Sequence, residues 1–410
     1  MTYFYAMQNQ KRSQFEFVVL MAALMSIVAL SIDAVLPALP MIGDYLSVSN
    51  PLDNPKLITS IFLGLGVGQL IFGPLSDSFG RKPIVYFGFI LFIIASIICI
   101  TTKSFEMMLF GRVLQGIGLA SPRTMCIAMV RDSYDGDYMA KILSIVVMVF
   151  ILVPVVAPTL GQFLMNHYGW KFIFTFTLAF GVLVMLWFWL RQPETLKDKY
   201  RIPYRLSIFK TGTIQFLRIR PAVIYTLLSG FITGSFMVYL STSQQIFENQ
   251  YDLAEEFPLI FASLAISVGL ATFMNSQLVV RFGMKCIVHL AMLSFVLTSL
   301  VFIVLFNSGN NPSIEVLIAF FAIQFFTIGF LFGNLRALAM EPMGHIAGIG
   351  SALNGFISTV MAVPIANYIG GFVTNSVTPL FIGFLVCGLI SLVLFYANSN
   401  RVRKTIGNLT

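Results

Sequence analysis

The chain has 410 residues, of which 58% are hydrophobic and only 10% charged, and its mean hydropathy is +0.88. A soluble globular domain carries about 25% charged residues, so this composition excludes an ordinary soluble protein and indicates an integral membrane protein. The formal charge of +8 does not call for a nucleic-acid partner, because most Lys and Arg residues fall in loops assigned to the cytoplasm, as the positive-inside rule expects.

Runs of about twenty apolar residues suit α-helices crossing a hydrocarbon core of about 30 Å. Alternating strands are absent, which argues against an outer-membrane barrel. Lys11 and Arg12 precede the first span, 15–39, and are expected to hold the N-terminus inside. Asp33 interrupts this span, and Pro37 and Pro40 predict a kink or an end, since proline lacks an N–H and crowds the preceding turn. No cleavable signal is expected, because the first run lacks an early small-residue cleavage site. The second span, 57–72, carries Gly64, Gly66 and Gly68, small residues that let helices approach closely. An inner turn, GPLSDSFGRK at 73–82, leads to the third span, 84–100.

The fourth span, 109–132, is apolar enough to cross a bilayer yet holds Arg112 and Arg123. An arginine in hydrocarbon costs about 2.5–3.5 kcal/mol on insertion scales. At 100° per residue the two arginines fall on nearly the same helix face, with Gln115 close by. That stripe is expected to face a wet cavity or the bundle interior.

The fifth span, 142–164, contains Pro154, Pro158 and Gly161, which suggest a bend; the sixth, 171–190, is marked by Trp170, Trp187 and Trp189, as at a membrane interface. Residues 191–220 carry eight Lys or Arg and read as a cytoplasmic linker, partly helical along the membrane surface. Six more spans follow, at 222–246, 257–279, 287–306, 314–339, 347–372 and 378–396. Arg281 and Lys285 mark an inner turn, and Arg401, Arg403 and Lys404 place the C-terminus inside. The expected fold is therefore an all-α integral membrane protein of twelve transmembrane helices. It divides into two six-helix halves, 1–190 and 221–400, with a linker at 191–220 and a cytoplasmic tail at 401–410. A short repeat supports the halves: Phe79-Gly80-Arg81-Lys82 after span 2 and Phe282-Gly283-Met284-Lys285 after span 8 occupy corresponding places.

Cys99, Cys126, Cys286 and Cys387 have neither metal-ligand spacing nor a disulfide pattern. No Walker A loop is present, so no nucleotide cofactor is expected and energy is expected from a proton gradient. The chain also lacks a convincing nucleophile–base or metal constellation, so an enzyme is not expected.

These residues resemble the major facilitator superfamily over nearly the whole chain. The turn from Gly73 to Lys82 is similar to the inner-loop signature of that family, and Arg112, Gln115, Gly116 and Gly118 are similar to its span 4 signature. The match narrows towards drug:proton antiporters of the bicyclomycin/chloramphenicol-resistance (Bcr/CflA) type. The stretch from Asp33 to Pro40 resembles their span 1 motif; Arg131-Asp132, Pro193-Glu194-Thr195, Ala347-Gly348 and Ser351-Ala352 also fit. Span 5 resembles the antiporter signature at Pro154, Ala157, Pro158 and Gly161, with Gln162 where a second glycine is common. The resemblance implies that Arg112 tunes proton coupling and that Asp77, Arg81 and Arg131 form an inner gate.

Asp33 is the clearest acid inside an apolar span and the first proton-carrier candidate; residue counting puts it and Arg112 in the outer half, where a pair is geometrically possible. Arg123 and Arg336 are read either as snorkelling cations or as cavity groups attracting an anion on the cargo. Gln115, Tyr239 and Asn334 are further substrate-binding candidates. The expected function is proton-coupled export of drugs or other small molecules, anionic or zwitterionic because three embedded arginines face one embedded aspartate. Two alternatives are a dedicated exporter of an endogenous anionic metabolite, such as a polycarboxylate siderophore, and a proton-coupled uptake symporter. Expected partners are a small-molecule substrate, protons and the lipid bilayer, with no nucleic acid. The expected setting is a multi-pass monomer in a bacterial inner membrane with both termini cytoplasmic.

Overall fold

The computed structural model describes residues 13–134, 136–201, 206–306 and 311–407. Helix α1 (Gln14–Asp33) starts at Ser13, whose hydroxyl accepts the Glu16 N–H at 3.1 Å, an N-cap that satisfies one free donor of the first turn. It stops at Asp33, before the prolines, as their chemistry predicts. A single 3-10 turn (Leu36–Ala38) follows, and α2 (Leu39–Tyr45) then resumes the path. The first span is thus a broken helix with Asp33 at the break.

The chain continues through α3 (Lys56–Phe79), α4 (Arg81–Thr101), α5 (Phe105–Ser133), α6 (Gly136–Tyr168) and α7 (Trp170–Arg191). Helix α6 covers the expected fifth span and runs unbroken past Pro154 and Pro158. Helix α8 (Leu206–Arg218) occupies the basic linker. Then come α9 (Arg220–Gln245), extended by a π-turn (Ile246–Gln250), α10 (Phe257–Phe282), α11 (Met284–Leu305), α12 (Ile314–Met340), α13 (Ala347–Gly370) and α14 (Thr378–Gly407). Among the described residues, 11 helical segments are long and apolar enough to cross a membrane. Leu259 and Val280 are 74% and 87% exposed, an outward apolar surface that suits lipid rather than water.

Helix pairing repeats along the chain. In the first part α1 packs on α5, α6 and α7, α5 on α3 and α4, and α4 on α7. In the second part α9 packs on α12, α13 and α14, α12 on α10 and α11, and α11 on α14. These are the same pairings shifted along the chain. The two sets meet where α3 packs on α13 and α6 on α10. Helices α3 and α5 touch backbone to backbone: a Cβ at Gly64 would lie 1.9 Å from the Val113 carbonyl oxygen, and one at Gly116 2.0 Å from that of Ile61. Lipid gives helices no hydrophobic reason to associate, so such close packing supplies the attraction.

The linker helix does not lie free on a surface. Phe216 of α8 is fully buried in a small cluster with Ala222, Met343 and Leu353, and Ile349 of α13 lies over Gly212.

Candidate functional site

Arg112 is 0% exposed. Its Nε donates to the Leu57 carbonyl at 3.0 Å, and its Nη1 donates to the Ser31 carbonyl at 3.0 Å and to Gln115 Oε1 at 2.7 Å. The Phe174 ring lies under the guanidinium, 5.7 Å away, a geometry that favours a cation. Nη2 is buried with no hydrogen-bond partner among the described residues. One charge thus ties α1, α3, α5 and α7 together, and a buried charge is tolerable only with such bonds.

Asp33 is 4% exposed and makes no hydrogen bond or ion pair among the described residues. No Asp33–Arg112 ion pair, which residue counting made geometrically possible, is formed among the described residues. Arg112 instead bonds the carbonyl of Ser31, two residues before the carboxylate. The guanidinium is met instead by the Ser31 and Leu57 carbonyls and by Gln115. Gly161 of α6 lies against this break; a Cβ there would stand 1.9 Å from the Ala34 carbonyl oxygen.

Three substrate-binding candidates sit in helix packing rather than on an open surface. Gln115 is fully buried, accepting from Arg112 while its Nε2 donates to Ser96 Oγ at 2.9 Å. Tyr239 is 2% exposed and enclosed by Phe261, Phe321 and Phe325. Asn334 donates to Asn275 Oδ1 at 2.7 Å and to the Phe330 carbonyl at 2.9 Å. Polar side chains in apolar helices find one another first, which accounts for the placement of Gln115 and Asn334, whereas the Tyr239 hydroxyl is buried with no hydrogen-bond partner among the described residues. Arg123 is half-buried and Arg336 exposed; Nη2 of Arg336 donates to Ser351 Oγ of α13 at 3.4 Å.

The turn between α3 and α4 forms the densest ionic cluster. Arg81, 3% exposed, donates through Nε to Asp132 Oδ2 at 2.9 Å, and through Nη1 to Asp77 Oδ1 at 2.5 Å and Ser76 Oγ at 2.6 Å. Glu194 caps α4: its carboxylate accepts the backbone N–H groups of Arg81 and Lys82, each at 3.0 Å. Thr195 Oγ1 donates to Asp132 Oδ2 at 3.1 Å. Asp77 and Arg81 therefore meet as expected, but Arg131 does not join them. It is exposed, and its neighbour Asp132 takes the place in the cluster because successive helix residues point 100° apart. Asp132 and Glu194 are members that the reading by motif did not single out, although both lie in the quoted Arg-Asp and Pro-Glu-Thr segments.

At the opposite end of the bundle the two sets of helices are tied by polar contacts. Thr59 Oγ1 donates to Asn367 Oδ1 at 2.8 Å, and Gln162 Nε2 to the Ala254 carbonyl at 3.2 Å. A cleft of about 230 Å³ lies there, lined by Asn50, Lys56, Asn367 and Gly370.

A bundle of membrane-length apolar helices that buries Arg112 and Asp33 has the form of a membrane transporter. The chain belongs to the Major Facilitator Superfamily, whose profile matches residues 21–366. The bicyclomycin resistance protein homolog of Haemophilus influenzae is 26% identical over 402 residues, covering 97% of this chain and 100% of that one. The multidrug resistance protein MdtL of Shewanella oneidensis is 29% identical over 369 residues, covering 89% and 91%. The crystal structure of a D-xylose-proton symporter superposes with a TM-score of 0.73 at 14% identity, covering 93% of this chain and 97% of that one; this last likeness concerns the fold.

Proposed function

We propose that the protein is a proton-driven exporter of small molecules in a bacterial inner membrane, with twelve spans in two six-helix halves and both termini cytoplasmic. The names of its resistance-protein relatives support efflux, and the repeated helix pairing supports two halves. Cargo binds between the halves near the midplane, and the halves rock to expose it on one side at a time.

The observation that carries proton coupling is Asp33, a buried carboxyl at a helix break with no bonded partner among the described residues. A buried charge without a partner is costly. Gaining or losing a proton at Asp33 therefore changes which conformation is stable. The unengaged Nη2 of Arg112 is a partner for the ionised form after a small shift of the break. A proton entering from outside neutralises Asp33 and helps release cargo there; its loss inside resets the site.

Purified protein in proteoliposomes tests this reading. An imposed inward proton gradient drives cargo outward, and Asp33→Asn abolishes that coupling. Normal gradient-driven transport by D33N overturns the assignment of Asp33, and co-entry of proton and cargo overturns antiport in favour of symport. Arg123 and Arg336 favour anionic cargo over neutral cargo, and hence the narrower reading of an exporter dedicated to an anionic metabolite.

A further inference from the structure

The turn Phe282-Gly283-Met284-Lys285 repeats the turn that Glu194 caps, and the two match position by position. Gly80 and Gly283 share a positive-φ backbone, 101° and 77°. Lys82 and Lys285 follow, then Tyr86 and His289 one helical turn on. The rings of Tyr86 and His289 meet Phe188 of α7 and Phe395 of α14, with centroids 6.0 and 5.9 Å away. The equivalence fails at the anion. In the first half the Glu194 carboxylate lies 2.6 Å from where a Cβ of Gly80 would stand, and Lys82 Nζ donates to the Trp189 carbonyl at 3.3 Å. In the second half a Cβ at Gly283 meets nothing within 4 Å. Lys285 is exposed and makes no hydrogen bond or ion pair among the described residues. Residues 397–410 contain no Asp or Glu, but do contain Arg401, Arg403 and Lys404.

His289 adds a second donor. Its Nε2 lies 2.5 Å from the Tyr396 hydroxyl and its ring is within 4° of parallel to that of Phe395, contacts that fix the imidazole on the seam between α11 and α14. Its Nδ1 makes no hydrogen bond among the described residues. With the tyrosine hydroxyl donating to Nε2, the ring proton sits on Nδ1. Lys285, four residues earlier, shares that helix face. From this pair the seam continues as an apolar wall. Leu293 and Leu297 follow His289 in steps of four, Val393 and Leu389 precede Tyr396 by three and seven, and all four are exposed.

We infer that Lys285 and His289 hold the headgroup of one anionic phospholipid, whose acyl chains lie along the exposed wall of α11 and α14. The phosphodiester takes a charge-assisted hydrogen bond from Lys285 Nζ and a second from His289 Nδ1. Basic pockets between helices at the membrane surface recognise such headgroups. The apolar wall directly beyond the two donors selects a lipid over a free phosphate, which has no chains to lay there. In the first half Glu194 supplies the anion from within the chain, so the equivalent turn takes no lipid.

The test titrates lipid into the full-length protein in detergent, reading bound lipid by native mass spectrometry and the melting midpoint in parallel. The probes are dioleoyl phosphatidylglycerol, dioleoyl phosphatidylcholine and glycerol phosphate. The parent retains phosphatidylglycerol and melts higher with it, while the other two probes do neither. K285Q and H289F each weaken phosphatidylglycerol binding about ten-fold, beyond the about five-fold that one lysine near a charged surface gives anywhere. K285R stays within about two-fold of the parent, and so does K103Q, which removes an exposed charge from the turn between α4 and α5. H289F keeps an aromatic ring on Phe395 and K285Q alters only an exposed side chain, so each lipid-free midpoint matches the parent's and the losses read as lost binding. Losses in K285Q and H289F no larger than in K103Q overturn the site. Equal retention of phosphatidylcholine overturns its preference for an anionic headgroup, and displacement of phosphatidylglycerol by glycerol phosphate overturns the lipid in favour of a free phosphate.

Discussion

Gln115 and Gln324 are counterparts: each reaches from its own helix to a serine hydroxyl 2.9 Å away, on Ser96 and Ser299. Each serine in turn donates to the carbonyl four residues earlier, Phe92 at 2.7 Å and Phe295 at 2.8 Å. Three residues before the glutamines the symmetry ends. The first set of helices has Arg112, and the second has Phe321, packed on Phe325 and Phe381 with centroids 5.7 and 5.4 Å away. A duplicated frame therefore carries a charge in one half and an aromatic core in the other.

This asymmetry predicts unequal costs for the same substitution. Gln324→Leu removes a neutral interhelical bond, worth about 0.6 kcal/mol on average in membranes and at most about 1.7. Gln115→Leu also strips an acceptor from a buried guanidinium, which raises the cost to about 2–3 kcal/mol. Unfolding of the two variants in a detergent titration gives the comparison, and equal losses would count against Arg112 depending on Gln115.

Glu194 sets the geometry of the ionic turn without contacting the Arg81 guanidinium. Its Oε1 accepts the N–H groups of Arg81, Thr195 and Leu196, and its Oε2 that of Lys82. In Glu194→Gln an amide NH2 faces the Lys82 N–H, and the charge at the α4 N-terminus disappears. The expected loss is about 1–2 kcal/mol, together with slower turnover as Arg81 loses its alignment on Asp77 and Asp132. A melting midpoint and turnover equal to the parent's would show the cap to be dispensable.

Two glycines separate close packing from open space. Gly161→Ala puts a methyl 1.9 Å from the Ala34 carbonyl oxygen, so α6 and the break beside Asp33 must part. The expected loss is about 3 kcal/mol or more, with loss of transport. Gly333→Ala on α12 meets nothing within 4 Å and is expected to stabilise by about 0.5–1 kcal/mol through helix propensity and a less flexible unfolded chain. Melting curves of both variants check the pair.

Much of the scaffold was legible before any coordinates. The break after Asp33 follows from Pro37 and Pro40, and the pairing of Asp77 with Arg81 follows from their places four residues apart across the short turn between α3 and α4. Pro154 and Pro158, where a bend was expected, lie inside one continuous helix, α6, which packs against α1 and α10. Tyr239 and Asn334 are candidates for cargo contact because each sets a polar group in an apolar run. Asn334 spends its amide on Asn275, and Tyr239 is walled in by phenylalanines. The Gln115–Gln324 correspondence went unseen since neither glutamine sits in the repeated Phe-Gly turn.

Hydropathy, proline chemistry and the placement of Lys and Arg are local properties, so the chain alone told where helices run, where the first one breaks and which spans hide a charge. It could not tell which buried groups meet. Arg112 finds its carbonyls 81 and 55 residues away, and Arg81 finds Asp132 51 residues away. Such partners are chosen when helices dock. In lipid that docking answers to close-packed glycines and to polar groups seeking one another, neither of which leaves a periodic trace along the chain.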